Sequence, residues 1–209
     1  MEILNQLSSA LGDKSERSNR LVAGQCIKDP ELLNSIAAGF ESKDRKLQSD
    51  CIEVFTMISE DHPDLIALYA DNVVPLLSNK ETKTRWEAAH TLSFIAHKIP
   101  EIIFSILPEL QELAEKDKST IVRDYTIDAI ANYAKIDAGT SEKAFGILKS
   151  VLEMWNEKHA KQVFKGFINI IDNNPAYKTE IGKIAESYLD AKKKVVASEA
   201  KKIMKRIEN

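Results

Sequence analysis

The chain has 209 residues, 44% of them hydrophobic and 29% charged, with a formal net charge of −3. That length is enough to bury a sizeable core, either as one domain or as a short repeat array, and the net negative charge gives no electrostatic case for nucleic acid. Seven glycines and six prolines are too few punctuating residues for an all-β chain of this size.

The first residues, Met1-Glu2-Ile3-Leu4-Asn5-Gln6, lack the basic run and apolar core of a signal peptide. No apolar stretch reaches the roughly 18 residues of a membrane span. The expectation is a cytoplasmic protein without a membrane segment. Cys26 and Cys51 both fall in helical patterns, and two reduced, buried thiols are expected rather than a disulfide.

Taken in order, the chain reads as a succession of amphipathic helices. Ile3, Leu4, Leu7, Ala10 and Leu11 make an apolar stripe over residues 1–11, and Gly12 ends it. A helix from about Lys14 to Ile27 places Leu21, Val22 and Cys26 inward, and its polar first half suits a terminal repeat. Asp29-Pro30 is expected to open the next helix, with Asp29 as cap. After a turn at Ser42-Lys43-Asp44, a partner helix buries Leu47, Cys51, Val54, Phe55 and Ile58.

His62-Pro63-Asp64 starts a third pair, and Pro75 inside its first helix predicts a break near Asp71-Asn72. Asn79 to Thr82 turns into a helix that Ile99-Pro100 ends. Pro100-Glu101 opens a fourth pair, with a turn over Asp117 to Thr120. Ala138-Gly139-Thr140-Ser141 reads as a break with Thr140 or Ser141 as cap. Phe145 to Leu152 and Ala160 to Ile171 follow, closed by Asn173-Asn174-Pro175. Ile181 to Leu189 and Val196 to Ile207 make the last pair.

These pairs share a register. Arg85 and Arg123 stand 38 residues apart, and Ala89 with Ile127, Leu92 with Ile130, and Ala96 with Ala134 keep that spacing. A fixed period of this size, in units that cannot bury their stripes alone, indicates a repeat architecture. The expected fold is an all-α superhelix, or solenoid, of about five to six stacked helical pairs. It is read as a single domain over 1–209, with pairs at 1–28, 29–61, 62–99, 100–137, 138–174 and 175–209.

The stretch Ile106-Leu107-Pro108-Glu109-Leu110, with Asp117, Val122-Arg123 and Ala129-Ile130 after it, resembles a HEAT repeat. The preceding copy keeps Arg85 and Ala88-Ala89 but has Thr84 in place of the valine, and later copies lack the arginine. The resemblance implies a non-enzymatic scaffold that binds a protein or peptide on a concave face lined by second helices. On that face it would place Arg85, Trp86, His90, Arg123, Asp124 and Asp128. Two readings stand for Trp86: an anchor in a groove, or packing between repeats. The two arginines could touch a ligand or bond turn residues such as Asp117 in an inter-repeat ladder.

The four histidines lack the spacing of a helical zinc site, and no phosphate loop or nucleophile motif is present. Neither metal nor cofactor is expected. Residues 191–209 carry Lys192, Lys193, Lys194, Lys201, Lys202, Lys205 and Arg206 against Glu199 and Glu208. This basic patch reads either as a binding surface for an acidic ligand or as the solvated face of a capping helix. An alternative function is a HEAT-like DNA glycosylase of the alkylpurine-repair type, for which Trp86, Arg123 and Asp124 supply residue types. The acidic balance of the chain argues against it.

Overall fold

A computed structural model describes residues 2–208. Among these residues the chain forms α-helices and short 3₁₀ turns, with no strand. They gather into two compact units, Met1–Ile102 and Ile103–Asn209.

The first unit holds α1 (Ser8–Leu11), α2 (Arg17–Lys28), α3 (Leu32–Ala38), α4 (Arg45–Ser59), α5 (Pro63–Ala67), α6 (Ala70–Val73) and α7 (Thr82–Ile95). Helix α4 packs against α2 on one side and α7 on the other, while α3 and α5 cover it. Val22, Cys26, Ile36, Cys51, Phe55, Ile58, Leu77, Leu92 and Ile95 are buried there. Phe40, Phe55 and Tyr69 stack edge to face at 5.0 and 5.4 Å. Both cysteines are free and buried, and burial pushes their thiols up to about 11 and about 12. They behave as small apolar residues, as the sequence implied.

The chain enters its second unit within α8 (Pro100–Ser105) and continues through α9 (Leu107–Lys116), α10 (Thr120–Tyr133), α11 (Ala138–Trp155), α12 (Ala160–Asn173), α13 (Lys178–Glu186) and α14 (Lys194–Glu208). Helices α10, α12 and α14 lie side by side as one layer, and α9, α11 and α13 pack against them as a second. Asparagines on α12 stitch the first layer: Asn169 Nδ2 donates to the Ala131 carbonyl at 2.8 Å. Repeat-to-repeat register in this layer is therefore held by polar bonds as well as by Ile130, Phe164 and Phe167 in the core.

Several local expectations are corrected. The break expected at Asp71-Asn72 falls earlier, at Leu68-Tyr69, where Tyr69 sits in the bridge region at φ −110°, ψ 13°. The chain then tightens to 3₁₀ over Val74–Ser78, because Pro75 has no N–H to continue the α-helical ladder. Ile106 breaks α8 from α9 in the same way, at φ −105°, ψ 7°, with Pro108 in the first turn of α9. Two repeats thus have three helices each, α5-α6-α7 and α8-α9-α10, where pairs were expected.

Of the stretch 1–11, residues 2–11 are described: a 3₁₀ turn, Ile3–Gln6, is followed by the short α1, which Gly12 ends at φ 69°. Helix α2 starts at Arg17, after a loop in which the Asp13 carboxylate accepts from Ser15 and from Ser18 in the first turn of the helix. Leu21 is 63% exposed; the rotation of α2 is set by buried Asn19, which accepts from Ser8 N and donates to Glu53. Asp29 makes no side-chain cap, and α3 begins at Leu32 after a turn of i to i+3 bonds. The expected break at Ala138 to Ser141 is helical. Asp137 is the cap, and Thr140 completes a capping box with it.

Candidate functional site

The sequence-derived candidates divide between the two units. Arg85, Trp86 and His90 belong to the first, on α7. Arg85 folds back on the turn before its helix: its Nη1 donates to the carbonyls of Asn79 (2.8 Å) and Lys80 (3.1 Å). Trp86 is half-buried, and its indole N–H donates to Glu87 Oε1 at 2.7 Å. His90 stacks on Phe94 with ring centres 4.8 Å apart, and burial pulls its pKa down to about 4. Trp86, His90 and Phe94 are all partly exposed and recur every four residues, so they form one aromatic stripe.

Phe94 escaped the sequence reading because phenylalanine in a helical pattern is usually core. The signal that marks it is its position four residues after His90. Glu87, beneath the stripe, is 7% exposed, and burial raises its carboxyl above the usual range. At the N-terminal end of the stripe, Lys83 pairs with Glu53 of α4 at 3.0 Å.

Arg123, Asp124 and Asp128 lie on α10 in the second unit. Arg123 is only 3% exposed, so it cannot face a partner. Its Nε–H donates to His159 Nε2 at 3.0 Å, Nη2 to Thr120 Oγ1 at 3.2 Å, and Nη1 to the Asp117 carbonyl. Its guanidinium carbon lies 4.2 Å from the centre of the Trp155 ring. Because Nε2 of His159 accepts, the imidazole proton sits on Nδ1, 2.6 Å from Asp124 Oδ1. Both arginines bond carbonyls of the turn before their own helix, and Arg123 also reaches His159 of the next repeat.

The sequence reading missed His159 and Trp155 as members of this cluster. His159 stands 36 residues after Arg123, close to one repeat, and that offset is the signal that could have found it. Asp128 is half-buried beside Lys165, at 3.8 Å. Burial raises its pKa, which Lys165 and Lys161 partly oppose. Asp128 with Lys165, and Arg206 with Asp172 at 2.6 Å, give the α10-α12-α14 layer charges paired across helices.

The basic patch splits. Lys192 and Lys193 precede α14, where cations oppose the helix dipole. The Glu157 carboxylate offsets this by accepting from both backbone N–H groups at 3.2 Å. Lys194 opens the helix itself. Lys202 bonds Glu199 at 2.8 Å, and Lys201 and Lys205 are exposed further along α14.

No family model and no curated protein matches the sequence. Solved structures do. A designed armadillo repeat protein in complex with the peptide (KR)4 superposes with a TM-score of 0.75 at 16% identity, over 98% of both chains. Computationally designed armadillo repeat proteins for modular peptide recognition give 0.71 at 16% identity, again over 98% of each. An engineered protein gives 0.71 at 16% identity over 99% of this chain, which spans only 57% of that longer molecule. Identities this low speak to fold alone. Three-helix repeats are the armadillo variant of the helical solenoid, which the split first arms at Tyr69 and Ile106 reproduce. The fold is an all-α, armadillo-like helical-repeat solenoid.

Proposed function

We propose that the protein is a non-enzymatic scaffold that binds a peptide along the exposed face of α7, with Trp86, His90 and Phe94 as its contact stripe. The observation that carries this reading is three partly exposed aromatic rings at four-residue spacing on one helix. Aromatic side chains offer large contact area at small entropic cost and are enriched at binding hot spots. With its pKa near 4, His90 is neutral at pH 7, so the stripe is uncharged. Fold neighbours that bind peptides support the same reading.

Other candidates take supporting parts. Arg85 fixes the turn from which α7 starts. In the second unit, Asp124 and Asp128 with Lys161 and Lys165 form a charged stripe of their own, in which His159, itself bonded by Arg123, holds Asp124. The glycosylase alternative gains nothing from Arg123, whose burial denies it to a phosphate backbone. The finer assignment to HEAT repeats rests on Val122-Arg123 and on the two-helix repeat α11-α12.

The test is a display selection of random peptides against the whole protein, followed by anisotropy titration of a recovered peptide. Trp86→Ala is expected to weaken binding at least about tenfold, as hot-spot aromatics do, and Phe94→Ala several-fold. Lys201→Ala, on the exposed face of α14, should leave it unchanged. Peptides that bind the Trp86→Ala, His90→Ala and Phe94→Ala variants as tightly as the parent would remove this surface from consideration.

A further inference from the structure

The first unit contains an open cleft of about 790 Å³ between the loop at 12–16, α1 and the first turns of α4 and α7. Small-molecule sites span about 300–1,000 Å³. The floor of this one is short of hydrogen bonds. Asp50 is 6% exposed, yet among the described residues its carboxylate accepts a single bond, from Ser9 N at 2.7 Å, and pairs with no cation. An ionised carboxylate has about four acceptor positions. Beside it, Ser9 Oγ is buried without any partner, which holds for no other side-chain nitrogen or oxygen of the described residues.

The charge balance points the same way. Glu53 lies one helical turn after Asp50, on the same face of α4, where like charges repel. Lys83 answers Glu53 at 3.0 Å, and Asn19 donates to the same oxygen at 2.7 Å. Arg45, at the mouth, is engaged by Glu81 at 2.7 Å. Lys14 and Lys46 are exposed at the rim. Negative charge therefore stays unanswered at the most buried carboxylate of the cleft.

We propose that this cleft binds a ligand bearing a guanidinium or primary ammonium group, with Asp50 as its counter-ion. N–H donors in a planar fork match the free carboxylate positions, and ionised partners make the stronger hydrogen bonds. The group can be a free small cation or an arginine side chain on a peptide. The inference does not rest on the aromatic stripe of α7.

Titration calorimetry of the full chain with agmatine, and separately with acetyl-Gly-Arg-Gly-amide, tests it. Saturable binding of agmatine is expected. Binding of the tripeptide as well means that the cleft accepts an arginine side chain; failure of the tripeptide alone marks a small-molecule site. Asp50→Asn keeps an acceptor for Ser9 N, so the fold should persist, verified by an unchanged urea midpoint, while affinity drops at least tenfold. Trp86→Ala should leave binding unaltered, which separates this inference from the peptide surface. Three results overturn the proposal: no saturable heat with either cation at millimolar concentration, equal affinity in Asp50→Asn, or inorganic phosphate binding in place of the cations.

Discussion

Arg123→Ala gives the sharpest prediction about what holds the second unit together. The wild-type guanidinium makes a hydrogen bond to His159 Nε2 at 3.0 Å, one to Thr120 Oγ1 at 3.2 Å and one to the Asp117 carbonyl. It also lies against Trp155. Truncation leaves His159 Nε2 without a donor in a residue that is 0% exposed, which costs about 1–3 kcal/mol. Loss of the cation–π contact adds about 1–2 kcal/mol. Removing the buried stem opens a cavity as well. Allowing for overlap among these effects, a loss of about 3–5 kcal/mol is expected.

Urea unfolding measures it, with Trp155 fluorescence in a Trp86→Phe background reporting the second unit. Arg123→Lys retains the charge but loses the fork, so it should recover less than half of the loss. A double-mutant cycle with His159→Ala should show a coupling of at least about 1 kcal/mol. A cost below about 1 kcal/mol for Arg123→Ala, or an additive cycle, would refute the account of Arg123 as a bond between consecutive repeats.

Three further predictions concern pH, a polar seam and two glycines. The unfolded chain protonates His90 near its ordinary 6.5, while the folded state resists until about 4. Its contribution is therefore full above pH 6.5 and declines as pH falls toward 4. Relative to His90→Gln, the wild type should lose about 1–2 kcal/mol between pH 7 and pH 5 in urea melts; identical pH profiles would contradict this. Thr56 Oγ1 shares its one proton between the Ile52 and Glu87 carbonyls and accepts from Thr91 Oγ1, whose one partner it is among the described residues. Thr56→Val should then cost about 1–3 kcal/mol by orphaning Thr91, and Thr91→Val under about 1 kcal/mol, because the Thr56 proton keeps its carbonyl acceptors. A Cβ at Gly166 would meet Leu148 Cδ1 at 2.5 Å and Ala131 Cβ at 3.1 Å, whereas nothing lies within 4 Å of one at Gly24. Calorimetry should find Gly166→Ala destabilising by about 1–3 kcal/mol and Gly24→Ala stabilising by up to about 1 kcal/mol.

Helix content, the order of helices and most of the core could be read from the sequence. Apolar spacing of three and four residues is imposed by helix geometry whatever the partner, so Cys51, Phe55, Leu92, Ile130 and Phe167 read as buried and are. The 38-residue register likewise announced a repeat architecture, since stacked units must bury equivalent positions. Local punctuation was legible where one residue decides it, as at Gly12 and Pro100. It failed where two residues cooperate: Asp137 takes the cap because Thr140 returns the bond.

The candidate sites divide along the same line. Sequence identified α7 and α10 as the helices whose polar faces depart from the common register, and it picked out Trp86 and His90. Tertiary structure alone decided that Arg123 points inward, that His159 receives it across one repeat, and that Asp50 lies buried with one bond. Residue type and spacing determine which face of a helix a side chain occupies. Whether that face meets water, a neighbouring helix or an unfilled cleft depends on rotations and offsets set by the whole packing, and those carry no short-range signature.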